Sequence, residues 1–274
     1  MPRSLTHTIE SESTVAHGRR VALTFGHANT AARIPGVLLL PDGIAQAPAA
    51  VLLHGFSSRK EQMADTMGVA LLAQGIASLA IDLPLHGARI SADGATSWGI
   101  VGGYERAFDA SAMGRPLALA SAWRTGLADA RLAIGYLGAR REVDRMRLGI
   151  VGYSMGSVLG VQVAADTPSV RAVALAAGGD LPERLPYAAA IRLISNPLRA
   201  VRRLDGRALL MVHGRRDVTV RPDQAQRLFD AASDPKALWW YEAGHLLPPH
   251  ALDDAARWLS TQLAVQGAHH ASSA

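Results

Sequence analysis

Short apolar runs alternate with longer stretches in which apolar and polar residues mix at helical spacing. Runs such as PAAVLL at 48–53 and IASLAI at 76–81 are continuously apolar, which is typical of parallel strands buried on both faces. We predict strands over 19–25, 34–40, 48–53, 76–81, 147–151, 170–176, 208–212 and 238–241. We predict helices over 61–74, 117–138, 155–165, 221–232 and 251–263.

The order of these elements predicts a single α/β domain over residues 1–274. The first two strands form a hairpin, and strands then alternate with helices. Such alternation predicts a mostly parallel central sheet with helices on both faces. Residues 88–116 and 180–203 break the rhythm, and we predict that these insertions form a lid or cap. The polar segment 1–12 and the tail 266–274 are predicted to be disordered.

The composition excludes several classes of function. The 274 residues include no cysteine, which excludes disulfide bonds, cysteine nucleophiles and thiolate metal sites. No apolar run is long enough to span a membrane, and the N-terminal residues contain no apolar signal-peptide region. We therefore expect a cytoplasmic protein without an integral membrane segment. The sequence does not indicate the oligomeric state.

The chain is basic, with a formal net charge of +5. Arginine supplies nearly all of the positive charge, and its densest groups lie at 140–141, 202–203 and 215–216. A surface for nucleic acid or acidic lipid is one interpretation. No basic run is interleaved with aromatic residues, however. We therefore favour solvated, partly paired charges and predict no nucleic-acid partner.

The pentapeptide GYSMG at 152–156 is the most informative motif. Between an apolar strand and a small, apolar helix, G-x-S-x-G is typical of a nucleophile elbow, a tight turn that exposes a serine hydroxyl above a sheet. Glycine is needed on either side because a Cβ at Gly152 or Gly156 would crowd the neighbouring strand or helix. The pattern thus predicts Ser154 as a nucleophile. The alternative is a glycine-rich turn that carries an ordinary serine.

A serine nucleophile needs a base and a carboxylate that orients the base. In folds that carry a nucleophile elbow, both follow the serine along the chain, first the acid and then the histidine. Asp217 and His245 each follow a predicted strand and a glycine, so both side chains are expected at the sheet edge that carries Ser154. The weaker candidates for the acid are Asp205 and Asp223. The competing candidates for the base are His213 and His250.

Four ordered motifs together resemble the α/β-hydrolase family: HGF at 54–56, GYSMG at 152–156, HGRRD at 213–217 and AGH at 243–245. The segment DLPLHG at 82–87 resembles the dienelactone-hydrolase-like and small esterase branches of that family. The resemblance implies the α/β-hydrolase fold and a catalytic triad of Ser154, His245 and Asp217. It also implies an oxyanion hole formed by the backbone N–H groups of Phe56 and Met155.

The residue at position 154, the spacing of the histidines and the lack of cofactor motifs restrict the classes of reaction that the sequence supports. Relatives that cleave carbon–halogen bonds or epoxides use aspartate at the nucleophile position, where this chain has Ser154. The histidines do not have metal-binding spacing, and neither a P-loop nor a dinucleotide-binding glycine motif is present. We therefore predict no cofactor and no metal. His86 and Gly87 are interpreted as a structural turn, with substrate contact as the alternative.

The favoured function is a serine hydrolase that cleaves carboxylic esters with small to medium acyl or alcohol groups, so the expected partner is a small-molecule ester. The same triad could act on an amide or peptide, a thioester or a carbon–carbon bond, and a non-catalytic binding scaffold is an alternative of another class. Side chains of the two insertions could line the substrate pocket or merely fasten the insertions to the body. The candidates are Trp98, Tyr104, Leu181, Leu185 and Tyr187.

Overall fold

The fold is built around one mixed β-sheet. The structure, a computed structural model, describes residues 5–28, 30, 32–90, 116–181 and 192–271, and within these it does not describe the side chains of 116–119 and 265–271. Within these ranges the sheet has nine strands in the order β1-β2-β3-β5-β4-β6-β7-β8-β9. The strands are β1 (Leu5–Val15), β2 (Gly18–His27), β3 (Ile34–Pro41), β4 (Ala47–Leu53), β5 (Ala77–Ile81), β6 (Val143–Tyr153), β7 (Val170–Ala176), β8 (Ala208–Gly214) and β9 (Lys236–Tyr241).

The sheet is antiparallel at its beginning and parallel thereafter. β1, β2 and β3 pair antiparallel, and β3 also pairs antiparallel with β5. From β5 through β4 to β9, every neighbouring pair is parallel. This arrangement confirms the predicted α/β-hydrolase class, a mostly parallel sheet with an initial antiparallel hairpin. The carboxyl ends of the parallel strands share one edge, where sites form in such sheets.

Helices cover both faces of this sheet, which explains why the parallel strands are apolar on both sides. The α-helices of the described residues include α1 (Lys60–Met63, a π-helical turn Ala64–Gly68, and Val69–Leu72), α2 (Pro116–Gly138), α3 (Met155–Ala165), α4 (Pro197–Val201), α5 (Pro222–Ala231) and α6 (Pro249–Ala271). Buried residues of α2, α3, α4 and α5 share one core cluster with strand residues. Buried residues of α1 and α6 belong to the cluster on the other face.

The prediction of disorder at 1–12 is wrong for residues 5–12, which belong to strand β1. Nearly every residue of β1 is exposed, and the strand is held by antiparallel pairing with β2. Backbone pairing needs no apolar alternation, so the hydrophobic pattern could not reveal this strand. At the other end, α6 continues to Ala271, so the predicted tail 266–274 is helical up to that residue. No proline, which would interrupt the helix, occurs after Leu263.

The two predicted insertions lie largely outside the described residues. Positions 91–115 and 182–191 are not described, and they include four of the candidate pocket residues, Trp98, Tyr104, Leu185 and Tyr187. The fifth, Leu181, is half-buried directly after Asp180. The Arg192 guanidinium donates two hydrogen bonds of 2.9 Å to the buried Asp180 carboxylate. This ion pair joins the chain on either side of 182–191.

No helix in the described part of the chain is both long and apolar enough to cross a membrane.

Candidate active site

Ser154 occupies a sharp turn between β6, which ends at Tyr153, and α3, which begins at Met155. Its backbone has φ 52° and ψ −115°, a region that L-residues rarely adopt. A Cβ at Gly152 would lie 2.3 Å from the Gly156 carbonyl oxygen, and a Cβ at Gly156 would lie 2.1 Å from the Leu53 carbonyl oxygen. Both distances are far below van der Waals contact, so the two glycines permit the close approach that the turn requires.

The structure brings Ser154, His245 and Asp217 together in one hydrogen-bonded chain. Nε2 of His245 lies 3.0 Å from Oγ of Ser154. On the other side of the ring, Nδ1 lies 2.8 Å from Oδ2 of Asp217. Because a carboxylate only accepts, Nδ1 carries the proton in this arrangement and Nε2 is left to accept the serine proton. These are the contacts that general-base activation of a serine requires.

Asp217 is buried just beyond β8 and is held by several donors. Its Oδ1 accepts hydrogen bonds from the backbone N–H groups of Thr219, at 2.8 Å, and Val220, at 3.0 Å. Burial alone would raise the pKa of Asp217, but the hydrogen bond and charge of His245, with these backbone donors, lower it below its ordinary value. The carboxylate is therefore ionised near neutral pH and can stabilise a positive charge on His245.

The loop that carries His245 is fastened to the elbow by a residue that the motif leaves unspecified. The Tyr153 hydroxyl donates to the His245 carbonyl oxygen at 2.7 Å and accepts from the Leu247 backbone N–H at 3.0 Å. Tyr153 directly precedes Ser154, so one side chain links the turn that carries Ser154 to the loop that carries His245. The sequence does not reveal this role, because G-x-S-x-G fixes only three positions and position 153 is not one of them.

The turn at 54–56 lies against Ser154. A Cβ built on Gly55 would be 3.2 Å from Cβ of Ser154, so this turn packs directly beside the serine side chain. Met155 is the first residue of α3, and the N–H groups of the first helical turn have no partner within their own helix. Phe56, whose N–H is one predicted oxyanion donor, directly follows Gly55, which packs against Ser154. Met155, whose N–H is the other predicted donor, directly follows Ser154.

His54 holds this turn in place from beneath. The Leu83 backbone N–H donates to Nε2 of His54 at 3.0 Å, so the ring proton lies on Nδ1, which donates to the Gly55 carbonyl oxygen at 2.7 Å. Burial lowers the pKa of His54 to about 4, so the ring is neutral at neutral pH. The Gly55 carbonyl and the Phe56 N–H belong to one trans peptide and point in opposite directions. Fixing the carbonyl therefore also fixes the direction of the Phe56 N–H.

The competing candidates have other contacts. His213 is fully buried, and its Nε2 lies 2.8 Å from the Val220 carbonyl oxygen and 3.6 Å from Oδ2 of Asp217. Its ring thus packs behind the carboxylate, and burial lowers its pKa. The His250 ring contacts the ring of Tyr241. Asp223 pairs with Arg221 and Arg227 on the surface of α5, and Asp205 precedes β8, so it lies at the opposite strand end from Ser154.

No group of three or more His, Asp or Glu side chains in the described ranges is arranged to hold a metal ion.

Comparisons with known proteins agree with this fold. The model of the Dienelactone hydrolase family matches residues 34–246. Esterase YjfP of Escherichia coli K12 is 28% identical over 245 residues, which span 79% of this chain and 89% of that protein.

Among solved structures, acetyl xylan esterase 1 from Thermoanaerobacterium sp. JW/SL YS485 superposes with a TM-score of 0.69 at 19% identity, covering 96% of this chain and 89% of the other. Dienelactone hydrolase from Anabaena variabilis gives a TM-score of 0.58 at 19% identity, covering 90% and 97% respectively. At these identities the structural likeness shows the fold alone. The family model spans well over half of the sequence, and the chain therefore belongs to the dienelactone hydrolase family, as a carboxylesterase-type hydrolase.

Proposed function

We propose that this enzyme hydrolyses carboxylic esters with small to medium acyl or alcohol groups through a Ser154–His245–Asp217 triad and an acyl-enzyme intermediate. The observation that carries the proposal is the hydrogen-bonded chain through His245, with 3.0 Å to Ser154 Oγ and 2.8 Å to Asp217 Oδ2. The naming of a relative as an esterase supports the same bond type.

Acylation begins when Ser154 Oγ attacks the ester carbonyl carbon and transfers its proton to Nε2 of His245. The carbonyl π electrons move to oxygen, and the backbone N–H groups of Phe56 and Met155 stabilise this oxyanion. As the intermediate collapses, the bond to the alcohol oxygen breaks, and the imidazolium of His245 protonates the departing alcohol. The products of this half-reaction are the free alcohol and an ester on Ser154.

Deacylation repeats the sequence with water as the nucleophile. His245 takes a proton from water as the hydroxide oxygen adds to the acyl carbon. Collapse of the second intermediate returns that proton to Ser154 Oγ and releases the carboxylic acid. Asp217 stabilises the imidazolium in both halves, in accord with its lowered pKa.

The test is Ser154→Ala, assayed with p-nitrophenyl acetate and with a fluorophosphonate probe that labels activated serines. We expect kcat to fall by about 10⁴ or more and labelling to disappear, because no other group replaces the nucleophile. Ser157→Ala is the matched control, since the Ser157 hydroxyl only bonds the carbonyl oxygens of Gly152 and Ala176. This control should still be labelled.

Undiminished turnover by folded Ser154→Ala would refute the proposal, and failure of the wild-type enzyme to label would favour a non-catalytic scaffold. A substrate panel of simple esters, acyl-CoA thioesters and aminoacyl amides then tests the bond type. We expect the esters to have the highest kcat/KM. A higher value for the thioesters or amides would refute the assignment to carboxylic esters and leave the triad itself in place.

A further inference from the structure

His86 has a buried hydrogen-bond acceptor that no described residue satisfies. Its Nδ1 lies 2.9 Å from the Pro84 carbonyl oxygen, which can only accept, so Nδ1 carries the proton and Nε2 carries a lone pair. Nε2 is buried and has no hydrogen-bond partner among the described residues, and the residue as a whole is only 4% exposed. An unsatisfied buried acceptor destabilises a fold, and a hydrogen bond from a ligand hydroxyl would offset that cost.

The His86 ring also lies next to the turn at 54–56, here called the oxyanion turn because it contains the proposed oxyanion donor Phe56. Its plane meets the ring of Phe56 edge to face, with 5.4 Å between the ring centroids. The ring centroid of His54, the residue that fixes the Gly55 carbonyl, is 5.1 Å from the ring centroid of His86. A ligand group that reaches His86 is therefore adjacent to the residue whose N–H is proposed to hold the oxyanion.

A buried ion pair keeps His86 in this position. The Asp82 carboxylate accepts hydrogen bonds from Nζ of Lys60, at 2.8 Å, and from the backbone N–H groups of Lys60 and Ala88, each at 2.9 Å. Gly87 has φ 55°, and a Cβ there would lie 2.2 Å from Asp82 Oδ1, so the chain passes tightly over the carboxylate. Because the turn is fixed on both sides of His86, we expect its ring to be held in place.

The ring lines a cavity of about 790 Å³ between the start of α1 and the turn at 86–90. The cavity begins at Ser57, directly after Phe56, and its other lining groups include the side chains of Ser58, Gln62 and Thr66. The charged residues of its lining are Arg59, Lys60, Glu61 and Asp65, whose formal charges cancel. The wall also includes apolar groups such as Ile90, and such a mixed wall without net charge suits a neutral, hydroxylated ligand better than an ion.

We propose that this cavity receives a hydroxylated part of the ester substrate, as in a partial ester of a polyol or sugar, and that Nε2 of His86 accepts a hydrogen bond from one of its hydroxyl groups. His86 is then a residue that determines specificity. The proposal rests on the proposed function, since the cavity would extend the same site.

The test compares esters that differ only in hydroxyl groups. Propyl acetate and glycerol 1-acetate place the hydroxyls on the alcohol, whereas propyl propanoate and propyl 3-hydroxypropanoate place one on the acyl group. Within at least one pair we expect the wild-type enzyme to favour the hydroxylated ester about 10-fold in kcat/KM. The pair that shows the preference identifies the side of the ester that enters the cavity. A ratio of one or less in both pairs overturns the proposal without any variant.

Two variants then test the acceptor. In His86→Phe, which keeps a ring against Phe56 but has no acceptor, we expect the selectivity ratio to fall about 10-fold. In His86→Gln, whose amide oxygen can accept, part of the ratio should return. An unchanged ratio in folded His86→Phe would overturn the assignment, because a purely structural histidine would change both esters alike. Loss of the proposed function is distinguished by the Ser154→Ala result, which concerns turnover of every ester and not their ratio.

Discussion

At the scale of single residues, the site depends on side chains that hold the backbone of their neighbours. Tyr153 fastens the loop of His245 through its hydroxyl, and His54 fixes the Gly55 carbonyl through Nδ1. Neither side chain needs to touch the ester to affect the rate, because a displacement of about 1 Å in a reacting group can cost about 10²-fold. Both are therefore positioning residues in the proposed mechanism.

Tyr153→Phe tests this role. The variant loses the bond to the His245 carbonyl and the bond from the Leu247 N–H, so the base is held less well against Ser154. We expect kcat for p-nitrophenyl acetate to fall about 10- to 100-fold, with KM changed much less. Tyr136→Phe is the matched control, because this tyrosine of α2 belongs to the core cluster and its hydroxyl accepts a hydrogen bond from Arg140, just beyond the end of the helix. If Tyr153→Phe lowers only the melting temperature and leaves kcat intact, the tyrosine is structural.

The sequence indicates candidates for the catalytic residues but not the residues that hold them in place. Ser154, Asp217 and His245 could be proposed because strand ends, glycines and chain order leave few choices. Tyr153 contacts the backbone of His245 and Leu247, and His54 accepts from the Leu83 backbone N–H. These contacts depend on where other segments of the chain lie, which no local sequence pattern encodes. The pocket candidates Trp98, Tyr104, Leu185 and Tyr187 lie outside the described residues, so their assignment remains a prediction.

At the scale of elements, apolar periodicity predicts the buried strands and helices closely but is silent about β1. The predicted helix over 155–165 and the predicted strand over 170–176 coincide with α3 and β7. In contrast, β1 is an exposed edge strand, and its pairing with β2 is a backbone interaction between segments rather than a property of its own sequence. Continuous apolar runs are informative because both of their faces are buried; an exposed strand has no such constraint.

At the nucleophile elbow, Gly156 lets helix α3 pack closely against strand β4. In Gly156→Ala the new methyl group would meet the carbonyl oxygens of Leu53, at 2.1 Å, and His54, at 2.7 Å, so strand β4 and helix α3 must separate. We expect the free energy of unfolding in urea to fall by about 3 kcal/mol and esterase activity to fall with it. In the control Gly160→Ala, in the same helix, the nearest atom is 3.9 Å away.

Gly160→Ala should be neutral or stabilising, because alanine favours a helix by about 1 kcal/mol over glycine. Equal destabilisation of the two variants would show that close approach of backbone at the elbow is not what requires Gly156.

At the scale of the whole molecule, the sheet collects residues that are far apart in the chain. Ser154, Asp217 and His245 follow β6, β8 and β9, which run parallel, so their carboxyl ends share one edge.

Part of the positive charge of the molecule is paired with carboxylates, as the prediction of solvated, partly paired charges expects. The three dense arginine groups each include an ion pair, Arg140 with Glu142, Arg203 with Asp166, and Arg215 with Glu242.

Buried neutral histidines make the stability of the molecule depend on pH. The pKa of His54 falls from 6.5 to about 4 because burial disfavours its charged form, and burial also lowers the pKa values of His86 and His213. Below pH 6.5 the unfolded chain therefore binds more protons than the folded one, so the free energy of unfolding decreases as pH falls from 6.5 towards 4. Above that window these groups make no contribution to the pH dependence.

His54→Asn isolates the largest of these contributions, because an asparagine amide can still donate to the Gly55 carbonyl but does not titrate. Between pH 7 and 4.5 we expect the wild-type protein to lose about 2 kcal/mol more unfolding free energy than the variant, measured by urea denaturation at both pH values. The exposed His17 provides the control, and His17→Asn should retain the full wild-type loss. If His54→Asn loses as much stability as the wild-type protein, a charged His54 is tolerated inside the fold, and its neutral form does not hold the oxyanion turn.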